Sequence, residues 1–141
     1  MRPSAGNMAM SILLGTIGLF SMAPAIWAAG PDCKNAEDQA TMTQCADQDF
    51  NTADARLNAT YRQLTDRLRD DVDKAKLLVT AEKAWIALRN ADCAFQGSGV
   101  EGGNVYPMIV AMCRTEMTDQ RVETLRDWLN CKEGDLSCPS R

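Results

Sequence analysis

Along most of the chain, apolar residues recur at the three- and four-residue steps of amphipathic helices. Ala46, Phe50, Ala53, Leu57, Tyr61, Leu64 and Leu68 share one face, which predicts a helix from about Asp38 to Arg69. Asp47, Asp49, Arg56, Arg62, Asp66 and Arg69 fall mostly off that stripe, and a polar turn at Asp70-Asp71 ends it. A second helix is predicted from about Val72 to Gln96, with Leu78, Ala81, Trp85, Leu88 and Phe95 facing inward. Asp92 lies on the same stripe. A carboxylate facing the core needs a cationic partner, because an unpaired buried charge is costly. Arg89 or Arg121 would supply it, giving a structural ion pair and not a catalytic acid. A third helix is predicted from near Tyr106 to about Leu129, with Pro107 suited to its first turn. Met108, Met112, Val122, Leu125 and Leu129 are its inward residues. Little β-branched alternation and no hairpin dipeptide interrupt this pattern. The expected fold class is all-α, a small three-helix domain with antiparallel long helices.

Gly97-Ser98-Gly99-Val100-Glu101-Gly102-Gly103-Asn104 separates the second and third helices. Such a glycine density does not continue a helix cheaply, so this is the one substantial loop of the helical region. From about residue 130 the tail, with Gly134 and Pro139, reads as irregular. No repeat or second domain is visible.

The first 29 residues have a different character. Arg2 and the terminal amine precede a mostly apolar run from Met8 to Met22, and small residues follow Pro24. This is the order of parts in a secretory signal peptide, with cleavage expected near Ala28 or Ala29. Gly15, Gly18 and Pro24 interrupt the run, which falls short of the roughly 20 residues that span a bilayer. No stable membrane anchor is therefore expected after processing. The domain reading is a signal peptide over residues 1–29 and one helical domain over residues 30–141, in a periplasmic or secreted protein.

Cysteine usage agrees with export. Cys33, Cys45, Cys93, Cys113, Cys131 and Cys138 all lie beyond the leader, and an even count in a short exported chain points to a disulfide framework. Six cysteines allow 15 connectivities, and sequence does not choose among them. Pairing of sequence neighbours is the natural expectation: Cys33 with Cys45, Cys93 with Cys113 across the glycine loop, and Cys131 with Cys138 in the tail. Zinc ligand spacing and a Cys-x-x-Cys redox motif are both missing.

The chain has no histidine, which removes the common nucleophile–imidazole pairs and imidazole metal ligation. No phosphate-binding glycine motif is present, and no carboxylate pair is singled out by spacing. The expectation is a non-enzyme without cofactor or metal. The formal net charge is −4, which gives no footprint for nucleic acid and suits a basic protein partner.

Several stretches together carry a resemblance. Ala53-Asp54, Leu57-Asn58 and Tyr61 form an A-D-x-x-L-N-x-x-Y pattern. Ala81-Glu82-Lys83-Ala84-Trp85 and Arg89-Asn90-Ala91-Asp92-Cys93 follow; Gly102-Gly103 and Pro107-Met108 precede Cys113; Thr118, Arg121 and Leu125 close the series. This resembles the lysozyme inhibitor LprI-like N-terminal domain family, small exported helical proteins of bacteria, over about Cys33 to Arg126. The sequence departs from the family's usual pattern at Glu82, where glutamine is usual, at Asn104, where serine is usual, and in the added Cys131–Cys138 tail. The resemblance implies an exported binding protein that inhibits a lysozyme, or another cell-wall hydrolase, by protein–protein contact. The alternative is an envelope or stress-related periplasmic protein that binds another protein or a small ligand without inhibiting lysozyme. Glu101, Gly102, Gly103 and Asn104 are the candidate partner-binding residues, in a loop that would enter the cleft of a muramidase. Tyr61, Trp85, Arg89, Asp92 and Arg121 are expected to be structural, Trp85 in the core and the two arginines paired with Asp54 or Asp92.

Overall fold

The computed structural model describes residues 30–132 and 134–140; the expected leader lies outside them. Three α-helices follow one another: α1 Gln39–Arg67, α2 Val72–Gly97 and α3 Tyr106–Leu129. A short 3-10 turn, Ser98–Val100, opens the α2–α3 loop. Sequence neighbours run antiparallel and α1 runs parallel to α3. Gln39 reaches Met108 near one end of α1, Arg56 pairs with Asp119 in the middle, and the Arg67 guanidinium donates to the Leu129 carbonyl at the other end. Helix α3 packs against both α1 and α2.

Local chemistry sets the helix starts. Asp38 caps α1, its carboxylate accepting from the Thr41 amide at 2.9 Å and the Thr41 hydroxyl at 2.6 Å. Asp71 caps α2, accepting from the Lys74 amide at 3.0 Å. These bonds satisfy amide groups that have no partner within the helix. They also favour the ionised carboxyls. The Thr41 hydroxyl and amide hold Asp38 below the ordinary carboxylate value, and the Lys74 amide does the same for Asp71. A depressed folded pKa adds stability that is complete above the unfolded value and is lost as pH falls through the folded one. Replacing both caps with serine, Asp38→Ser and Asp71→Ser, keeps an acceptor that does not titrate in this range. Acid titration followed by far-UV circular dichroism should therefore show a shallower loss of stability below about pH 4 in the double variant; an unchanged acid profile would remove the caps from the account.

Two apolar clusters make the core. One gathers Leu57 and Leu64 of α1 with its C-cap residue Leu68, Leu78 of α2, and Val122, Leu125 and Leu129 of α3, with Tyr61, Trp85 and Trp128 against it. The other lies at the loop end, where Cys93, Val110 and Cys113 pack with Tyr106 and Met117. The α1 stripe behaves as its spacing predicts: Ala46, Ala53, Leu57, Leu64 and Leu68 are buried, and Phe50 and Tyr61 are partly so.

The rotation of α2 differs from the sequence expectation. Leu78 is buried, but Ala81 is exposed, Leu88 is 53% exposed and Phe95 is 82% exposed. The inward face is instead Leu78, Glu82, Trp85, Arg89 and Cys93. Cys93 must meet Cys113, and that covalent constraint turns the helix so that two charged side chains enter the interior. Asp92 is consequently exposed and is not the buried ion-pair partner expected of it. Met112 of α3 is also outside, 55% exposed, and Met108 is only partly covered; the buried residues of that turn are Val110, Ala111 and Cys113. All three cysteine pairs join sequence neighbours: Cys33–Cys45, Cys93–Cys113 and Cys131–Cys138.

Candidate functional site

The α2–α3 loop is built from the inside outward. Gly97 is buried where the chain leaves α2, and a Cβ added there would lie 2.9 Å from the Tyr106 ring and 3.0 Å from the Val110 side chain. Glycine is what allows α2 and α3 to approach so closely at this point. The chain then turns through three short backbone bonds: Glu101 N–H to the Ser98 carbonyl (3.3 Å), Gly103 N–H to Val100 (3.0 Å), and Tyr106 N–H to Gly103 (3.2 Å). Gly102 sits at φ +79°, in the region that favours glycine. Glu101, Gly102, Gly103 and Asn104 are all exposed at the tip.

Two disulfides lie at this end. Cys93–Cys113 joins the helices on either side of the loop, and its sulfurs are buried in the second apolar cluster. Asn104 borders a shallow depression together with Gln39, Thr43 and Gln44 from the first turns of α1, and Cys33–Cys45 ties the preceding segment to that part of α1. The loop tip and the first turns of α1 thus form one polar surface with a covalently held base.

Between the helices, cations and aromatic rings alternate. The Arg89 guanidinium lies 5.1 Å from the centroids of both Phe50 and Trp85. Arg121 lies between Trp85 (5.6 Å) and Trp128 (5.0 Å), and Arg114 reaches the other part of the series, 5.9 Å from Phe50. Guanidinium groups are well suited to such stacking because they are planar and weakly hydrated. Arg121 donates twice to one oxygen of Glu82, from Nε at 3.0 Å and Nη2 at 2.9 Å. Both side chains are about nine-tenths buried. Arg89 donates to the Thr118 hydroxyl at 3.0 Å and more weakly to Asp54 at 3.4 Å. Among the described residues, Glu82 Oε1 and Arg89 Nε have no hydrogen-bond partner, and stacking contributes to holding the ladder.

The residues that carried the resemblance thus divide by location. Asp54, Leu57, Asn58 and Tyr61 line a groove of about 270 Å³ between α1 and α2, with Glu82 and Ile86 on its far wall. Trp85, Arg89 and Arg121 belong to the ladder. The glycine loop stands apart at one end, and Asp92 joins neither group. Arg89 takes Asp54, one of its two expected partners, whereas Arg121 takes Glu82. Phe50, Trp128, Arg114 and the Glu82 carboxylate were missed as members of the ladder. The signal for Glu82 was its place on the stripe Leu78-Glu82-Trp85-Arg89-Cys93, which emerges once Cys93 is required to face inward. Among the described residues, no group of three or more His, Cys, Asp or Glu could hold a metal ion, and no helix is long and apolar enough to cross a membrane.

The comparisons agree with this architecture. The sequence pattern of the family described as "Lysozyme inhibitor LprI" matches residues 32–125. A protein of Rhizobium meliloti (strain 1021), described as uncharacterised, is 38% identical over 115 residues, covering 74% of this chain and 83% of that protein. The crystal structure of a DUF1311 family protein from Pseudomonas putida KT2440 superposes with a TM-score of 0.62 at 29% identity, covering 68% of this chain and 97% of that one. The matched pattern ends before the Cys131–Cys138 tail and includes the ladder residues Phe50, Glu82, Trp85, Arg89, Arg114 and Arg121. On sequence pattern and fold together, the chain is a member of the lysozyme inhibitor LprI family.

Proposed function

We propose that this protein is an exported inhibitor of a muramidase or a related cell-wall hydrolase, acting by protein–protein contact through the loop from Gln96 to Tyr106. The observation that carries the reading is the exposed Glu101–Asn104 tip over the buried Cys93–Cys113 bond in a chain of the LprI family. A loop whose shape is already fixed loses less conformational entropy on binding than a floppy one. The Asn104 amide would donate to the carboxylates of the enzyme's cleft, and Glu101 would meet basic groups at its rim. The acidic net charge of the chain favours encounter with a basic enzyme. Three disulfides support an oxidising compartment, which is what the leader-like first 29 residues imply. On this reading the chain is a binding protein and not an enzyme.

The loop assignment has its own test. The triple variant Glu101→Ala, Gly102→Ala, Asn104→Ala should keep its disulfides and helicity yet bind a susceptible muramidase at least about tenfold more weakly, equivalent to 1.4 kcal/mol. Binding measured by calorimetry that survives all three changes would move the contact surface elsewhere on the molecule.

A further inference from the structure

The outward flank of α2 has no function in the account so far, yet it is apolar. Leu77, Ala81, Ala84, Leu88, Ala91 and Phe95 are all exposed, the three large ones by 70%, 53% and 82%. They step by four and three in strict alternation, the spacing of a coiled-coil seam. Thr80, Ala87 and Ala94, also exposed, widen the strip on one side. None of these nine residues is charged. An apolar stripe on a helix is ordinarily covered, and a continuous exposed apolar patch marks an interaction surface.

From this strip we infer that the protein pairs with a second copy of itself, α2 against α2 in antiparallel orientation. The seam is self-complementary about its midpoint, as a two-fold contact requires. Leu77 meets Phe95 of the other copy, Ala81 meets Ala91, and Ala84 meets Leu88, with each contact occurring twice. The two-fold point falls level with residue 86, between the Ala84 and Leu88 layers. Alanine on at least one side of every inner layer lets the helices approach to about 8–10 Å, with Leu88 seated over Ala84 of the other copy, and Leu77 and Phe95 close the two ends. The chain is acidic overall, but its charge is absent from this strip, so self-association here brings no like charges together. A basic partner would be drawn to the acidic surfaces and not to this one. The seam is about 27 Å long, taking 1.5 Å per residue, which places it at the small end of stable interfaces and sets the expected affinity in the micromolar range. Antiparallel pairing sends the two α2–α3 loops to opposite ends of the seam, leaving both free to engage partners. The inference is independent of what the loop binds.

Analytical ultracentrifugation of the oxidised protein without residues 1–29 is the test. At high micromolar concentration the protein should sediment as a dimer that dissociates on dilution. Leu88→Glu should sediment as a monomer with unchanged helicity, whereas Leu136→Glu, which adds the same charge at a fully exposed residue off the strip, should remain dimeric. The double variant Ala81→Cys, Ala91→Cys should yield a disulfide-linked dimer under mild oxidation, because these two positions face each other across the seam. A wild-type protein that stays monomeric at high micromolar concentration would overturn the inference. A dimer that survives Leu88→Glu would do the same. Monomeric wild type combined with loss of muramidase binding in Leu88→Glu would assign the strip to the enzyme instead.

Discussion

Glu82→Ala is expected to destabilise the fold by about 3–5 kcal/mol, the usual cost of leaving one partner of a buried ion pair uncompensated. The Arg121 side chain is about nine-tenths buried, and Glu82 is the carboxylate with which it is paired. Stacking on Trp85 and Trp128 would persist in the variant, but a ring quadrupole contributes only about 0.5–2 kcal/mol. A domain of total stability about 5–15 kcal/mol loses a large fraction of it. Two further variants separate charge from shape. Glu82→Gln keeps a carbonyl that accepts from Arg121 and should cost much less than alanine. The double replacement Glu82→Leu, Arg121→Leu removes both charges and should cost less than the two single replacements added together. Urea denaturation of the four proteins in the cycle provides the check. Strict additivity would mean that the pair contributes no coupling.

Among the disulfides, loss of Cys93–Cys113 should do the most damage. Its 20-residue separation corresponds to about 3 kcal/mol of unfolded-state entropy, against about 2 kcal/mol for the 7-residue separation of Cys131–Cys138. Packing enlarges the difference. Cys93 is fully buried and Cys113 nearly so, in contact with Val110, Tyr106 and Met117, while the tail pair is only partly covered. Removing sulfur from that cluster leaves a cavity as well as a longer unfolded loop. The double variant Cys93→Ala, Cys113→Ala should therefore melt well below Cys131→Ala, Cys138→Ala when both are compared with the oxidised parent. Equal melting temperatures would show that the loop-end cluster does not depend on its covalent link. Because Gly97 and Val110 adjoin this cluster, the first variant should also loosen the loop, read as faster amide exchange from Ser98 to Asn104.

The three helices were legible in the sequence because their periodicity is sustained over many turns and because glycine and aspartate mark the breaks. The α1 stripe was legible for the same reason: from Ala53 to Leu68, every inward position but the buried Thr60 is apolar or aromatic. Helix α2 was not, because it offers two apolar stripes. Ala81, Leu88 and Phe95 make a regular pattern that the fold leaves outside, and Glu82 and Arg89 occupy positions that polarity alone would place in water. What decides between the stripes is long-range: the partner of Cys93 lies across the loop, and the partner of Glu82 lies 39 residues away on α3. Neither is visible in a window of one helix. The exposed loop was located from its glycines, but the neighbouring turns of α1 that share its surface become adjacent only through the fold.

Inhibition of a cell-wall hydrolase is the activity proposed for this fold. Its most direct test is the rate at which a muramidase clears a suspension of bacterial cell walls, with and without the oxidised protein lacking residues 1–29, using chicken-type, goose-type and invertebrate-type enzymes in turn. At least one enzyme should be slowed in proportion to added protein until it is fully inhibited near equimolar amounts, and the Glu101, Gly102, Asn104 triple variant should restore clearing. Undiminished clearing by all three enzymes at a large molar excess of the folded, oxidised protein would contradict it.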